Sequence, residues 1–158
     1  MSFEAWARWD ALRWWSRIFD FGDGGDHNIW LGNYVDSSTI RAQAKREDGE
    51  QVGVRGAGDI ALESWTHLVV TIDEATLKLF QDGELVGTAD AGGSAPPLMT
   101  RANHYLCKSN WKDVPNLEGA IASLRIWSRA LSADEVAAAH ADASAAMRHT
   151  NIEKTAKL

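Results

Sequence analysis

Asp82-Gly83 stands between two β-prone runs, Thr76-Leu-Lys-Leu-Phe-Gln81 and Glu84-Leu-Val-Gly-Thr-Ala89. Gly accepts the positive φ of a type I′ turn, and that turn matches the twist of the strands it joins. A turn at 82–83 sets Gln81 opposite Glu84, Phe80 opposite Leu85 and Leu79 opposite Val86. Alternation then gives Leu77, Leu79 and Val86 one face, and Lys78, Phe80 and Leu85 the other. In the preceding run, Trp65-Thr-His-Leu-Val-Val-Thr-Ile-Asp73, Leu68, Val70 and Ile72 alternate with His67, Val69 and Thr71, the pattern of a half-buried strand. Three consecutive antiparallel strands form a meander, so 65–89 is predicted as the middle of an antiparallel sheet.

Further strands are predicted over 2–9, 14–21, 27–31, 39–46, 51–55, 103–108 and 117–128. Phe3, Ala5, Ala7 and Trp9 share one face of the first, and Ile40, Ala42 and Ala44 one face of the fourth. In the last, the apolar set Ile121, Leu124 and Ile126 slips in phase, which predicts a bulge. The segments 22–26, 47–50, 91–97 and 109–116 read as loops, rich in Gly or Pro or flanked by them. Ser132-Ala-Asp-Glu135 is a capping box. Val136, Ala139, His140, Ala143 and Met147 follow at helical spacing, predicting an amphipathic helix over 133–148 and a loose tail from Thr150. The fold class is therefore all-β: a two-sheet antiparallel β-sandwich with a C-terminal α-helix. Its divisions are the sandwich at 1–131, the helix at 132–149, packed on it or on a partner, and the tail at 150–158.

A net charge of −6 excludes a nucleic-acid binder, which needs basic patches. No apolar run is long enough for a transmembrane segment, and no basic-then-apolar leader precedes residue 2. Cys107 is alone, so no internal disulfide forms, which suits a reducing, intracellular or organellar compartment. Eight Trp in 158 residues are the main compositional sign of recognition, because indole rings bind flat apolar surfaces.

Several pieces in order carry a resemblance: Trp15-Ser-Arg-Ile-Phe-Asp-Phe-Gly22, Asn28-Ile-Trp-Leu-Gly32, Trp65-Thr-His-Leu68, Leu79-Phe-Gln-Asp-Gly-Glu-Leu-Val86, and the run from Gly119 through Trp127 to Ser132. Together they resemble laminin-G-like jelly-roll domains of the concanavalin A-like lectin/glucanase superfamily. The resemblance covers 2–136. It implies a jelly roll with one concave sheet, binding at that face or its rim loops, often with calcium, and an extracellular setting. The chain departs from the family twice. It lacks the family's first strand or strands, so an edge is expected to be left for the helix or another chain to cover. At Ala122-Ser123, where relatives often carry acids, side-chain calcium ligands are missing.

Candidate chemistry follows from side-chain types. Glu47-Asp48-Gly-Glu50 and Asp73-Glu74 sit at turns, not on one strand face as a carboxylate pair for glycoside hydrolysis requires, so the chain is read as no enzyme. Asp20, Asp23, Asp26 and Asn28 offer oxygens for a possible calcium; the plainer alternative is a Gly-Asp turn whose side chains satisfy local amides. Trp111, with Asn110, Asn103, Lys108 and Asp113 beside it, has the makings of a sugar platform, and Trp14 joins it as a ligand-binding candidate. The alternative is a loop Trp folded onto the sheet edge. Trp6, Trp65 and Trp127 are expected in the core or sheet. Ala156-Lys157-Leu158 is similar to a peroxisomal address. The first functional reading is a non-catalytic module recognising glycan or a protein surface. The second is a structural subunit docked in a larger assembly, and the third a glycoside hydrolase.

Overall fold

In the computed structural model, two five-stranded antiparallel sheets pack face to face and one helix lies outside them. The structure describes residues 1–24, 26–45, 49–92 and 100–155, and side chains as far as 144. The strands are β1 (Ser2–Ala11), β2 (Arg17–Asp23), β3 (Asp26–Asn33), β4 (Thr39–Lys45), β5 (Gln51–Asp59), β6 (Thr66–Ile72), β7 (Thr76–Gln81), β8 (Glu84–Asp90), β9 (Asn103–Leu106) and β10 (Glu118–Trp127), followed by α1 (Ala133–Thr155). The first sheet runs β10-β1-β6-β7-β8 and the second β5-β4-β3-β2-β9. This is the expected sandwich, consistent with a jelly roll.

The meander β6-β7-β8 forms around Asp82 (φ 52) and Gly83 (φ 88), the left-handed pair of a type I′ turn. Gln81 faces Glu84 and Phe80 faces Leu85 as expected, but Leu79 faces Gly87 rather than Val86. The slip has a steric reason. At Gly87 a Cβ would lie 2.6 Å from the Arg55 carbonyl oxygen of β5, so the residue without a side chain takes the place where the sheets close. Val86 still packs against the core.

Between the sheets, Phe3, Ala5, Ala7 and Trp9 of β1 and Leu68, Val70 and Ile72 of β6 meet Phe19, Phe21, Ile29, Leu31, Ile40, Ala42 and Ala44. Phe3 stacks on Phe19 with ring centroids 5.1 Å apart. The expected half-burial of β6 is corrected: it is buried on both faces. Its outer face is covered by α1, where Val69, Phe80, Leu131 and Val136 form a second apolar cluster. Farther along the helix, His140 stacks on Trp6 at 5.5 Å. Beneath it His67 and Glu4 are both buried, their Nε2 and Oε1 atoms 3.2 Å apart.

Other boundaries moved for local reasons. The strand expected from Trp14 starts at Arg17, because 14–15 form a turn with Trp15 at φ 55. The loop expected over 22–26 is a tight hairpin in which Asp23 pairs with Asp26. The bulge in β10 is where the phase slip put it: Trp6 faces Ser123 and Ala7 faces Ile121. Ile126, expected near the core, is 58% exposed, because β10 has no neighbour beyond it. Among the described residues β10 is thus the edge strand on this side of the sheet and β8 on the other, while β1 lies between β10 and β6. An apolar seam of about 540 Å³ runs beside β10, lined among the described residues by Phe3, Phe21, Ile29, Ile126 and Trp127 and others, none of them in the helix. The described part of the helix lies instead on the outer face of the first sheet, through Val136.

The capping box forms as read: Glu135 N–H donates to Ser132 Oγ (3.2 Å), and Ser132 N–H donates to Glu135 Oε2 (2.9 Å). The helix outruns the expected end at 148 and the tail expected from Thr150, reaching Thr155; no Gly or Pro interrupts it. It is only weakly amphipathic, with Ala137, Ala138 and Ala141 exposed. The Ala156-Lys157-Leu158 ending and the Glu47-Asp48 pair lie outside the described residues, and the Met147 side chain does too. Among the described residues no helix is long and apolar enough to cross a membrane.

Arg129 donates through both terminal nitrogens to Glu135, at 2.7 Å each, and with the Ser132 amide pulls that carboxylate down from 4.5 to about 2. A depressed carboxylate stabilises the fold above its unfolded value and loses that contribution as pH falls through the folded one. Helical signal is therefore expected to weaken between pH 4.5 and about 2. Far-ultraviolet circular dichroism should show that change diminished in Glu135→Gln.

Candidate functional site

Alternation in the second sheet sends the cross-strand row Phe19, Leu31, Ala42 and Val54 into the core. The adjacent rows therefore point outward: Asp20, Trp30, Gln43 and Gly53 in one, Arg17, Gly32, Arg41 and Arg55 in the other. This outer face holds a cavity of about 380 Å³, with Trp14, Trp15, Trp30 and Trp111 around it, Arg17, Gln43 and Gln51 within it, and Asp113 beside them. The Trp15 ring meets Trp14 edge-on at 6.5 Å, Trp30 at 5.9 Å and Tyr34 at 4.9 Å. Trp14 and Trp111 are 51% and 36% exposed, so their rings are the ones available to a ligand.

Arg17 is nearly buried, its guanidinium 3.5 Å from the Trp30 ring centre, 5.4 Å from that of Trp15 and 5.8 Å from that of Trp111. Its Nη1 donates to the Trp15 carbonyl at 2.7 Å. Burial lowers its pKa to about 10, against the opposing pull of Asp20, so it stays charged at neutral pH.

Asp20 sits beneath this cage, fully buried. Its Oδ1 accepts from Asn28 Nδ2 (2.6 Å) and Asn110 Nδ2 (3.0 Å); its Oδ2 accepts from Asn110 N–H (2.9 Å) and Ser109 Oγ (3.2 Å). Ser109 Oγ in turn accepts from the Trp111 amide at 3.1 Å. One carboxylate thus ties the loop that carries Trp111 onto β2 and β3.

Of the six residues read from sequence as ligand-binding, Trp111, Asp113 and Trp14 line the cavity. Asn110 is turned inward onto Asp20, so its role is structural. Asn103 lends its backbone oxygen to Asn110, and Lys108 lies 4.4 Å over the Tyr105 ring. Neither lines the cavity. Sequence reasoning missed Arg17, Trp15, Trp30, Gln43 and Gln51. Gln43 was legible in principle, lying out of phase with Ile40, Ala42 and Ala44, which the sequence pattern had placed on one apolar face. Trp65, expected in the core or sheet, lies just before β6 and is 38% exposed, with Arg8 5.4 Å over its ring.

Asp20, Asp23, Asp26 and Asn28 do not fit a single calcium ion. Calcium takes about six to eight oxygens. Here both Asp20 oxygens are engaged by four donors, Asp26 pairs with Lys45, and Asp23 is at the hairpin end. Among the described residues no three His, Cys, Asp or Glu converge to hold a metal.

The laminin-G family model of the concanavalin A-like lectin/glucanases superfamily matches residues 1–137. No curated protein matches the sequence significantly. The fold is similar to the Ruminococcus gnavus IT-sialidase CBM40 bound to α2,3 sialyllactose, with a TM-score of 0.74, 17% identity, and 88% of this chain and 81% of that one covered. It is similar to domain 4 of AbnA, an extracellular arabinanase from Geobacillus stearothermophilus, in complex with arabinotriose: TM-score 0.68, 20% identity, 86% and 64% covered. The leech intramolecular trans-sialidase matches with a TM-score of 0.75 and 19% identity over 88% of this chain and 23% of that one. At these identities the likeness shows a shared fold.

Removing the Asp20 carboxylate takes a shared acceptor from four donors of Asn28, Ser109 and Asn110, of which the two Asn side-chain amides keep only backbone oxygens. Asp20→Ala is expected to lower stability by about 3 kcal/mol or more. Urea denaturation measures it, and tryptophan emission should shift as the Trp111 loop is released.

Proposed function

The chain belongs to the concanavalin A-like lectin/glucanases superfamily, and on that premise we propose that it is a non-catalytic module that binds glycan on the outer face of the second sheet. The observation that carries this reading is the cavity walled by four indole rings, two of them exposed, with polar side chains between them. Sugar rings present apolar C–H faces that stack on indoles and hydroxyls that hydrogen-bond around the rim. The carbohydrate modules of similar fold, bound to sialyllactose and to arabinotriose, support it. Asp20 is no acid or nucleophile in this reading, since its oxygens are committed to the loop. The donor set around it also favours binding that does not depend on calcium.

Isothermal titration against hits from a glycan array tests this. Wild-type protein is expected to bind at least one glycan, with affinity unchanged by a chelator. Trp111→Ala should weaken binding roughly ten- to a hundredfold, the worth of one stacked ring in a binding centre. An array without hits, or a Trp111→Ala variant that binds like wild type, rules the reading out.

Docking onto another protein surface is a second reading, favoured by the apolar seam beside β10. Ile126 is the exposed apolar residue there. If the seam is a contact, Ile126→Lys should abolish association seen by analytical ultracentrifugation while leaving glycan binding intact.

A further inference from the structure

Arg17, Arg41 and Arg55 share one cross-strand row on the outer face that carries the cavity; Arg17 lines the cavity, and Arg41 and Arg55 continue the row away from it, past Gly32 of β3. Arg17 is across from Gly32, Gly32 from Arg41, and Arg41 from Arg55. The chain as a whole carries −6, so this row runs against its average charge. Like charges on neighbouring strands repel. Burial and the nearby Arg55 cation both lower the Arg41 pKa, and Arg41 has the same effect on Arg17.

Aromatic faces hold the guanidinium groups in place. Trp30 lies 3.5 Å from Arg17, and Tyr34 is 3.6 Å from Arg55 and 5.6 Å from Arg41. Gly53 makes room for Arg41: a Cβ there would be 2.5 Å from Nη2. Among the described residues no carboxylate pairs with Arg41 or Arg55. The Nε atoms of Arg17 and Arg41 are buried without a hydrogen-bond partner.

The polarity of the neighbouring amides follows from the arginines. A guanidinium can only donate. Arg41 Nη2 therefore donates to Gln43 Oε1 at 2.9 Å, and Gln43 Nε2 is left to donate to Gln51 Oε1 at 2.9 Å. Gln51, which lines the cavity, ends this chain with its NH₂ group free to donate. Arg17 adds more N–H groups. Among the described residues, Arg17, Lys112 and the Gln51 amide thus turn donors to the cavity against the one carboxylate of Asp113, a balance that favours a ligand rich in acceptors.

Resting on the reading of the cavity as a glycan site, we propose that its ligand is an acidic sugar, whose carboxylate or sulfate lies against the Arg17–Arg41–Arg55 row while a ring stacks on Trp111. Guanidinium groups match the geometry of such oxyanions, and hydrogen bonds between charged groups are the strong ones. Bound acid neutralises the repulsion within the row.

A glycan array holding neutral, uronate-containing, sialylated and sulfated glycans tests the proposal on the whole chain. Each hit is then titrated beside its neutral counterpart at low and high salt. The acidic glycan is expected to bind at least tenfold tighter than its neutral match and to weaken as salt rises. A preference for carboxylated or for sulfated glycans supports the proposal equally and identifies the acid. Arg55 is exposed, so Arg55→Gln should fold normally and lower the affinity for the acidic glycan about tenfold while leaving a neutral match unchanged. Arg41→Gln is expected to act in the same direction. Equal affinity for acidic and neutral glycans, or an Arg55→Gln variant with undiminished affinity for the acid, overturns the proposal and leaves the glycan reading standing. Binding to no glycan removes both.

Discussion

A single buried carboxylate organises the face that carries the cavity. Water solvates a carboxylate strongly, so Asp20 can be buried only if other groups replace that water. Four donors do so, two from Asn110 and one each from Asn28 and Ser109. Three of them lie about ninety positions away in the chain, which makes Asp20 a long-range tie. The tie fixes the loop, the loop fixes Trp111, and Trp111 closes the cage over Arg17. The same negative charge, 4.0 Å from Arg17 Nε, helps keep that guanidinium ionised where burial alone would push the other way.

The architecture was legible because it rests on local rules. A Gly that tolerates positive φ announced the turn at 82–83, and alternation assigned the inward faces of β1, β4 and β6 correctly. The capping box located the start of the helix to the residue. What failed was everything set by a partner distant in sequence. Nothing in 76–89 alone reveals that β5 will crowd Gly87, so the register slip was missed. Nothing in β6 announces the helix that buries its outer face. Ile126 was assigned inward because its own strand's pattern says so, but exposure there depends on a neighbouring strand that the sheet lacks.

The candidate site was legible in outline only. The loop with Trp111 was found from its aromatic and amide content, and Asp113 and Trp14 with it. Asn110 looked like a sugar ligand because an isolated Asn offers both a donor and an acceptor; only the fold reveals that its amide is spent on Asp20. Arg17, Arg41 and Arg55 are spread over almost forty residues and look unrelated in sequence. They become a row only when three strand registers are known. A cluster assembled across strands has no linear signature, which is why the arginines escaped a reading that found the loop.

The helix and the cavity lie on opposite sides of the molecule, with both β-layers between them. One outer face is sealed by Val136 and His140; the other is left to solvent and its rings. Anything joined to exposed helix positions such as Ala137 or Ala138, whether a dye, a bead or a supporting surface, would leave the aromatic mouth pointing outward and unobstructed. The molecule thus has a built-in handle and a built-in front, and an immobilised copy is oriented by its own geometry.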